Sequence, residues 1–190
     1  MAQTTRGQPM KRILYLLAAA TALAGFGVTT LSAMPMKLLW NATASAPIGL
    51  YSVGPASKLQ IGDLVVVRPD EALEGFMVER GYIGRGVPLL KHIAALSGQQ
   101  VCRIGRDIMI DGRFAAAALD RDRRGRDLPV WQGCQHIAPN AVFLLNPAAR
   151  DSLDSRYFGA MQVMDVLGKA QPLYTDTTGT GHFTWRAIAP

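Results

Sequence analysis

Hydrophobic positions along the chain fall into one long block followed by many short ones. Arg6, Lys11 and Arg12 precede "ILYLLAAATALAGFGVTTLSAMPM", and no charged residue interrupts the run from Ile13 until Lys37. That run exceeds the ~20 residues a helix needs to cross a hydrocarbon core. Basic residues before it and few after it predict a cytoplasmic N-terminus and an external remainder. The expected organisation is an N-terminal segment at 1–12, a transmembrane anchor at 13–36, an exported domain at 37–175 and a tail at 176–190. A cleaved signal sequence is the rival reading. Because "LSA" at 31–33 is a poor cleavage site and the run is longer than an ordinary signal core, an uncleaved anchor is expected.

The short blocks that follow read as strands separated by turn residues. "DLVVVR" (63–68) is β-branched and stops at Pro69, and "PLLKHIAAL" (88–96) stops at Ser97-Gly98. "QVCRI" and "DIMI" flank Gly105-Arg106, and the second runs into Asp111-Gly112, a strong hairpin signal. "AVFLLN" (141–146) ends at Pro147, and "VMDVLGKAQPLY" (163–174) reads as the last strand. Residues 70–86 and 115–129 are expected to be loops, and the chain after Tyr174 to be frayed. The pattern predicts a mainly β domain behind a transmembrane helix.

Composition narrows the function. Of 190 residues, 49% are hydrophobic, enough for one proper core, and the formal charge is +6. The densest charge run, "DRDRRGRD" (120–127), alternates in sign and reads as a solvated loop. With no uninterrupted basic stripe and no stacking aromatics beside one, nucleic acid is not expected as a partner. Two cysteines in an exported domain most often pair, so Cys102 and Cys134 are candidates for a disulfide; unrelated buried thiols are the alternative. With no CxxC and three scattered histidines, neither a metal nor a cofactor is expected.

Three stretches could carry chemistry. "NATASAPIGLYSV" (41–53) is rich in small residues, with little that could build a core; it is either a bland linker or a rigid turn presenting Ser45. On a strand, Lys91 of "PLLKHIAAL" shares a face with Leu89, Ile93 and Ala95, while His92 faces the other way. Desolvation among such neighbours lowers a lysine pKa toward the ~7–8 that suits a base at neutral pH. An edge lysine snorkelling to water fits the spacing equally well. "RDSLDSRYFG" (150–159) crowds two aspartates, two serines and two arginines together, either as a solvated turn or as support for a buried lysine.

Together "NATASAPIGLY", "PLLKHIAALSGQQVC" and "DSLDSRYFG" resemble, in order and rough spacing, the type I signal peptidases. The resemblance is greatest to their conjugative-transfer branch, the TraF-like pilin-processing peptidases, and extends from Asn41 to about Gly168, including "GRDLPVWQGC". It implies a β-rich, signal-peptidase-like domain in the periplasm, held at the bacterial inner membrane. It also implies a serine nucleophile at Ser45, a lysine base at Lys91, an oxyanion-binding hydroxyl at Thr43, and supporting roles for Asp154, Ser152 and Arg156. The pattern departs from general signal peptidases where Ala46 replaces a methionine and where "NPAAR" replaces a glycine-aspartate-asparagine-arginine run.

These departures favour a dedicated precursor, a pilin-like protein, over housekeeping signal-peptide removal. The resemblance to that branch also implies, for at least some members, ring closure of the peptide through the acyl-enzyme. The expected partners are the membrane, the precursor and components of a conjugation or type IV secretion apparatus. A Ser-His enzyme using His92, His136 or His182 is a weaker alternative, since Ser-Lys dyads need no histidine. A non-catalytic, membrane-tethered assembly protein would explain an anchor and a disulfide, but not the three matching stretches.

Overall fold

The computed structural model describes residues 8–31 and 35–186, with side chains placed for 11–23 and 35–186. The chain divides into two units, Met1–Pro35 and Met36–Pro190.

The first unit holds helix α1 (Gln8–Leu31). Among the described residues no helix is long and apolar enough to cross a membrane. The transmembrane anchor expected at 13–36 is therefore corrected. The inner-membrane anchoring expected for the domain is corrected on the same finding. Ser32 and Ala33 of the alternative cleavage site lie outside the described residues.

The second unit is mainly β, as expected. One sheet runs in the order β1 (Leu38–Asn41), β2 (Ile48–Gly54), β11 (Val166–Asp176), β3 (Leu64–Val67), β4 (Leu89–Ala95), β9 (Ala141–Leu145) and β10 (Met161–Gln162). A further strand, β12 (Thr184–Trp185), pairs with β11. The second sheet has the order β7 (Arg113–Ala117), β6 (Asp107–Ile110), β5 (Gln100–Ile104) and β8 (Gly133–His136).

Strands β3 and β9 are buried at every position because both of their faces are covered. Leu64 and Val66 pack with Tyr51, Val53 and Leu90, whereas Val65 and Val67 turn to Ile93, Val142 and Leu144. That is the two-residue period of a strand placed between two apolar layers. Phe143 and Leu145 point the other way and join Val101 and Ile108 of the second sheet in a third cluster. At Gly168 a Cβ would overlap the Gly54 carbonyl oxygen, so β11 can approach β2 this closely only with glycine there.

The expected strands at 63–68, 88–96, 100–104, 107–110 and 141–146 are present. Asp111 and Gly112 both have positive φ, 47° and 75°, the backbone twist that Asp-Gly hairpins adopt. Four expectations differ. The segment 163–174, expected as the last strand, opens with a 3-10 turn at Val163–Asp165 before β11, and β12 follows it. The segment 70–86 contains helix α2 (Glu71–Glu79), capped by the Asp70 carboxylate accepting from the Leu73 N–H, with Glu71 and Glu74 in its first turn. Strand β7 enters the second expected loop, and Arg121 bridges Asp127 further along it. The part of the tail that is described, up to Arg186, is not frayed, because Tyr174 and Thr175 pair with Trp185 and Thr184.

Cys102 and Cys134 sit opposite each other in the β5–β8 register and form a disulfide across 32 residues. Closing that loop contributes about 3–4 kcal/mol in the chain-entropy model. A Cys102→Ser/Cys134→Ser protein should lose stability of that order in urea denaturation, and unfolded, non-reduced wild type should take up no thiol label. Two alkylated thiols would contradict the bridge.

Candidate active site

The turn between β1 and β2 is held by one buried side chain. Asn41 Nδ2 lies 2.9 Å from the Thr43 carbonyl oxygen and 3.0 Å from those of Ala46 and Pro47, donating into all three. Its Oδ1 accepts from the Thr43 N–H at 3.1 Å and the Thr43 hydroxyl at 2.9 Å. The Tyr51 hydroxyl donates to the Pro47 carbonyl at 2.6 Å, and burial pushes that phenol up to about 12, so it stays a donor. Gly49, at φ 143°, lies where a Cβ would overlap the Tyr174 carbonyl oxygen, which seats the start of β2 against β11. Contrary to the expectation that this stretch builds little core, Ala46 and Tyr51 are buried in the cluster with Leu90 and Val53. The turn thus holds Ser45 half-buried at its tip.

Lys91 comes from β4, which pairs with β3 on one side and β9 on the other. It is therefore not an edge lysine free to reach water, and only 4% of its surface is exposed. Its Nζ lies 3.3 Å from Ser45 Oγ and 2.7 Å from Ser152 Oγ. Burial lowers its pKa to about 8; Asp154 opposes that shift, Arg156 adds to it and Asp151 opposes it. The Thr43 hydroxyl is 3.3 Å from Ser45 Oγ on the turn itself. The structure thus brings Ser45, Lys91, Thr43 and Ser152 together.

Asp154 and Arg156 do not touch Lys91 by hydrogen bond; they hold the segment that carries Ser152. Their ion pair, 2.8 Å from Nε to Oδ1, is almost wholly buried, unlike a solvated turn. The remaining valences are filled. Asp154 also accepts from the Asn146 N–H at 3.0 Å, and Arg156 donates to the carbonyls of Asn146, Ala117 and Arg150. Removing one member of such a pair leaves an uncompensated buried charge, which costs ~3–5 kcal/mol.

Asn146 completes the brace. Its Nδ2 donates to the Leu90 carbonyl at 3.0 Å, and its Oδ1 accepts from the His92 N–H at 3.2 Å, gripping β4 on both sides of Lys91. The His92 ring is engaged there as well, with Nδ1 3.1 Å from the same Oδ1. His136 and His182 are exposed, and among the described residues no histidine hydrogen-bonds to Ser45. Sequence reasoning missed both Asn41 and Asn146. An asparagine at a strand end is a common turn former, and nothing in its spacing reveals which carbonyls it will meet.

Ser45, Lys91 and Ser152 open onto a cleft of about 600 Å³ whose apolar walls include Leu39, Trp40 and Met77. A neutral amine in this position has its lone pair within reach of a hydroxyl proton.

A family model described as signal peptidase, peptidase S26, matches residues 10–175. The chain is 35% identical over 147 residues to the conjugal transfer protein TraF of Agrobacterium fabrum (strain C58 / ATCC 33970), covering 71% of this chain and 81% of the relative. It is 27% identical over 177 residues to a plasmid transfer protein TraF of Escherichia coli, covering 87% and 99% respectively. Among solved structures, a signal peptidase I from Enterococcus faecalis V583 aligns at a TM-score of 0.36 and 18% identity, over 60% of this chain and 97% of that one.

The lowered Lys91 pKa has a consequence for stability. The unfolded chain binds the lysine proton up to about 10.5 and the folded chain only up to about 8. Folding is therefore penalised below pH 8, and the penalty disappears as pH rises between the two values. Wild type should gain on the order of 3 kcal/mol across that window relative to a Lys91→Met protein, by denaturant titration at a series of pH values. Parallel curves would show that Lys91 is hydrated.

Proposed function

The chain belongs to the signal peptidase, or peptidase S26, family, and on that premise we propose that it is a serine endopeptidase using Ser45 as nucleophile and Lys91 as general base. The observation that carries this reading is the 3.3 Å approach of Lys91 Nζ to Ser45 Oγ at a site dry enough to bring the amine down to about 8. At pH 7 about a tenth of the molecules then hold the amine neutral, whereas an ordinary lysine is almost wholly protonated.

Neutral Lys91 takes the Ser45 proton as Oγ attacks the scissile carbonyl. The resulting ammonium keeps its hydrogen bond to Ser152 Oγ, which aims Nζ at the nucleophile. The oxyanion is met by the Ser45 backbone N–H and the Thr43 hydroxyl. That hydroxyl rests on Asn41 Oδ1, which retains the Thr43 N–H when the hydroxyl turns away, so the rotation strands no acceptor. Loss of one such donor costs ~3–4 kcal/mol in other proteases. Collapse of the tetrahedral intermediate passes the Lys91 proton to the leaving amine and leaves an acyl-enzyme on Ser45. Asp154 and Arg156 act through position, by fixing the strand end and the Ser152 segment.

We further propose that the substrate is a small pilin precursor. The relatives carry the names of conjugal and plasmid transfer proteins. The packing of Ala46 into the core and the "NPAAR" approach to Ser152 set the chain apart from general signal peptidases. The acyl-enzyme is resolved by water or by an amine held at the acyl carbon, since good positioning is worth effective molarities of ~10⁵ M or more.

Ser45→Ala and Lys91→Ala should each reduce precursor processing to the level of the double variant, because the two groups act as one unit. Circular dichroism should show both folded. His92→Ala should retain most activity. Substantial cleavage by either single variant would contradict the dyad, and a folded but inactive His92→Ala protein would favour histidine as the base.

Incubated with a pilin precursor, the enzyme should release a short C-terminal piece, read by mass spectrometry. A product one water lighter than the trimmed linear chain marks ring closure, and the full linear mass marks hydrolysis. A precursor left intact by enzyme active on other peptides would remove pilin as the substrate.

A further inference from the structure

One part of the cleft has no role in the proposed dyad chemistry. Its rim is formed by the hairpin at 120–128 and the end of α2, which bring Arg80, Arg123, Arg124 and Arg126 to the same cleft as Ser45 and Lys91. Only two aspartates of that lining, Asp122 and Asp151, face them.

The hairpin is braced. Leu128 N–H donates to the Asp120 carbonyl at 2.8 Å, Asp122 N–H to the Arg126 carbonyl at 2.9 Å, and Gly125 N–H to the Asp122 carbonyl at 2.9 Å. Two arginines tie it to the end of α2: Arg80 Nη1 donates to the Asp127 carbonyl at 2.7 Å, and Arg126 Nη2 to the Arg80 carbonyl at 3.1 Å. A third reaches across the cleft, with Arg123 Nη2 2.5 Å from Asp151 Oδ2, one residue before Ser152.

Both aspartates are already committed. Asp122 accepts from the Tyr82 hydroxyl at 2.6 Å, from Arg126 Nε at 2.7 Å and from the N–H groups of Arg124 and Arg126, all of which hold its carboxyl well below the usual range. Asp151 is held by Arg123. Among the described residues the exposed Arg124 guanidinium has neither an ion-pair partner nor a side-chain hydrogen bond. A rigid mount, a cleft with excess positive charge and an open guanidinium fork are what a planar carboxylate binds in bidentate fashion.

We propose that Arg124 is a specificity residue that selects substrates carrying a carboxylate on the segment lying beneath this hairpin. The inference rests on the Ser45–Lys91 reading of the site, since that reading makes the cleft's occupant a peptide. The carboxylates a peptide offers are Asp and Glu side chains and its own C-terminus. The apolar walls at Leu39 and Met77 take the neighbouring uncharged residues.

The test uses the full chain and a mixture of synthetic peptides of randomised sequence, made once with free C-terminal acids and once with C-terminal amides. Mass spectrometry reads the cleaved sites. Wild type should cut carboxylate-bearing peptides about five- to tenfold more often than matched neutral ones, with the carboxylate at one fixed distance from the scissile bond. Arg124→Gln should abolish that ratio and Arg124→Lys should restore part of it. Enrichment of Asp and Glu in both mixtures identifies a side chain as the ligand. Enrichment near the end of the free-acid peptides alone identifies the C-terminus. Cleavage without a carboxylate preference, or a preference unchanged in Arg124→Gln, overturns the inference and leaves the dyad standing. No cleavage above that of Ser45→Ala overturns the dyad reading itself, and this inference with it.

Discussion

The dehydration of one amine sets the terms for the rest of the site. An ammonium taken out of water is costly unless it gives up its proton or is fully partnered. Lys91 is nearly buried in the middle of a sheet, with two hydroxyls in contact and an aspartate–arginine pair close by. Burial is the largest influence and removes the proton; the charge of Asp154 opposes it, and Arg156 partly offsets that charge. The buried ion pair therefore has two effects: it fixes the Ser152 segment mechanically, and it presents Lys91 with a nearly neutral neighbour.

Such a site tolerates little movement, and the fold supplies the stiffness. Asn146 grips β4 on either side of Lys91, and Asn41 gathers the turn that carries Ser45. These polar clamps are set between apolar layers on both faces of β3 and β9. The disulfide lies in the other sheet, whose Val101 and Ile108 pack against Phe143 and Leu145 of β9. Stability and site geometry thus share one strand.

Much of this was legible in the chain. Alternating and β-branched runs marked β3, β4, β5, β6 and β9, and the Asp111-Gly112 pair marked a hairpin with the required backbone twist. Ser45, Lys91 and the 151–159 segment were legible as three stretches, but their meeting was not, because each lies far from the others in sequence. Whether Lys91 sat inside the sheet or at its edge depended on β3 and β9 flanking it, which periodicity within one strand does not encode. Helix α2 was hidden by its brevity, although Asp70 and the two glutamates after it form an ordinary N-terminal signal. The anchor reading failed for a different reason. The run from Ile13 to Met36 carries no charge, yet among the described residues no helix is long and apolar enough to cross a membrane.

The central claim is that burial brings Lys91 down far enough for a usable fraction to be neutral near physiological pH, and a direct titration tests it. With ¹³C-labelled lysine in the folded protein, the Lys91 Cε resonance, assigned by its loss in Lys91→Met, can be followed against pH by NMR. The account predicts a midpoint near 8, well separated from the other lysines. A midpoint at the ordinary lysine value of ~10.4 would mean a hydrated ammonium that cannot take a proton from Ser45, and the account would be wrong.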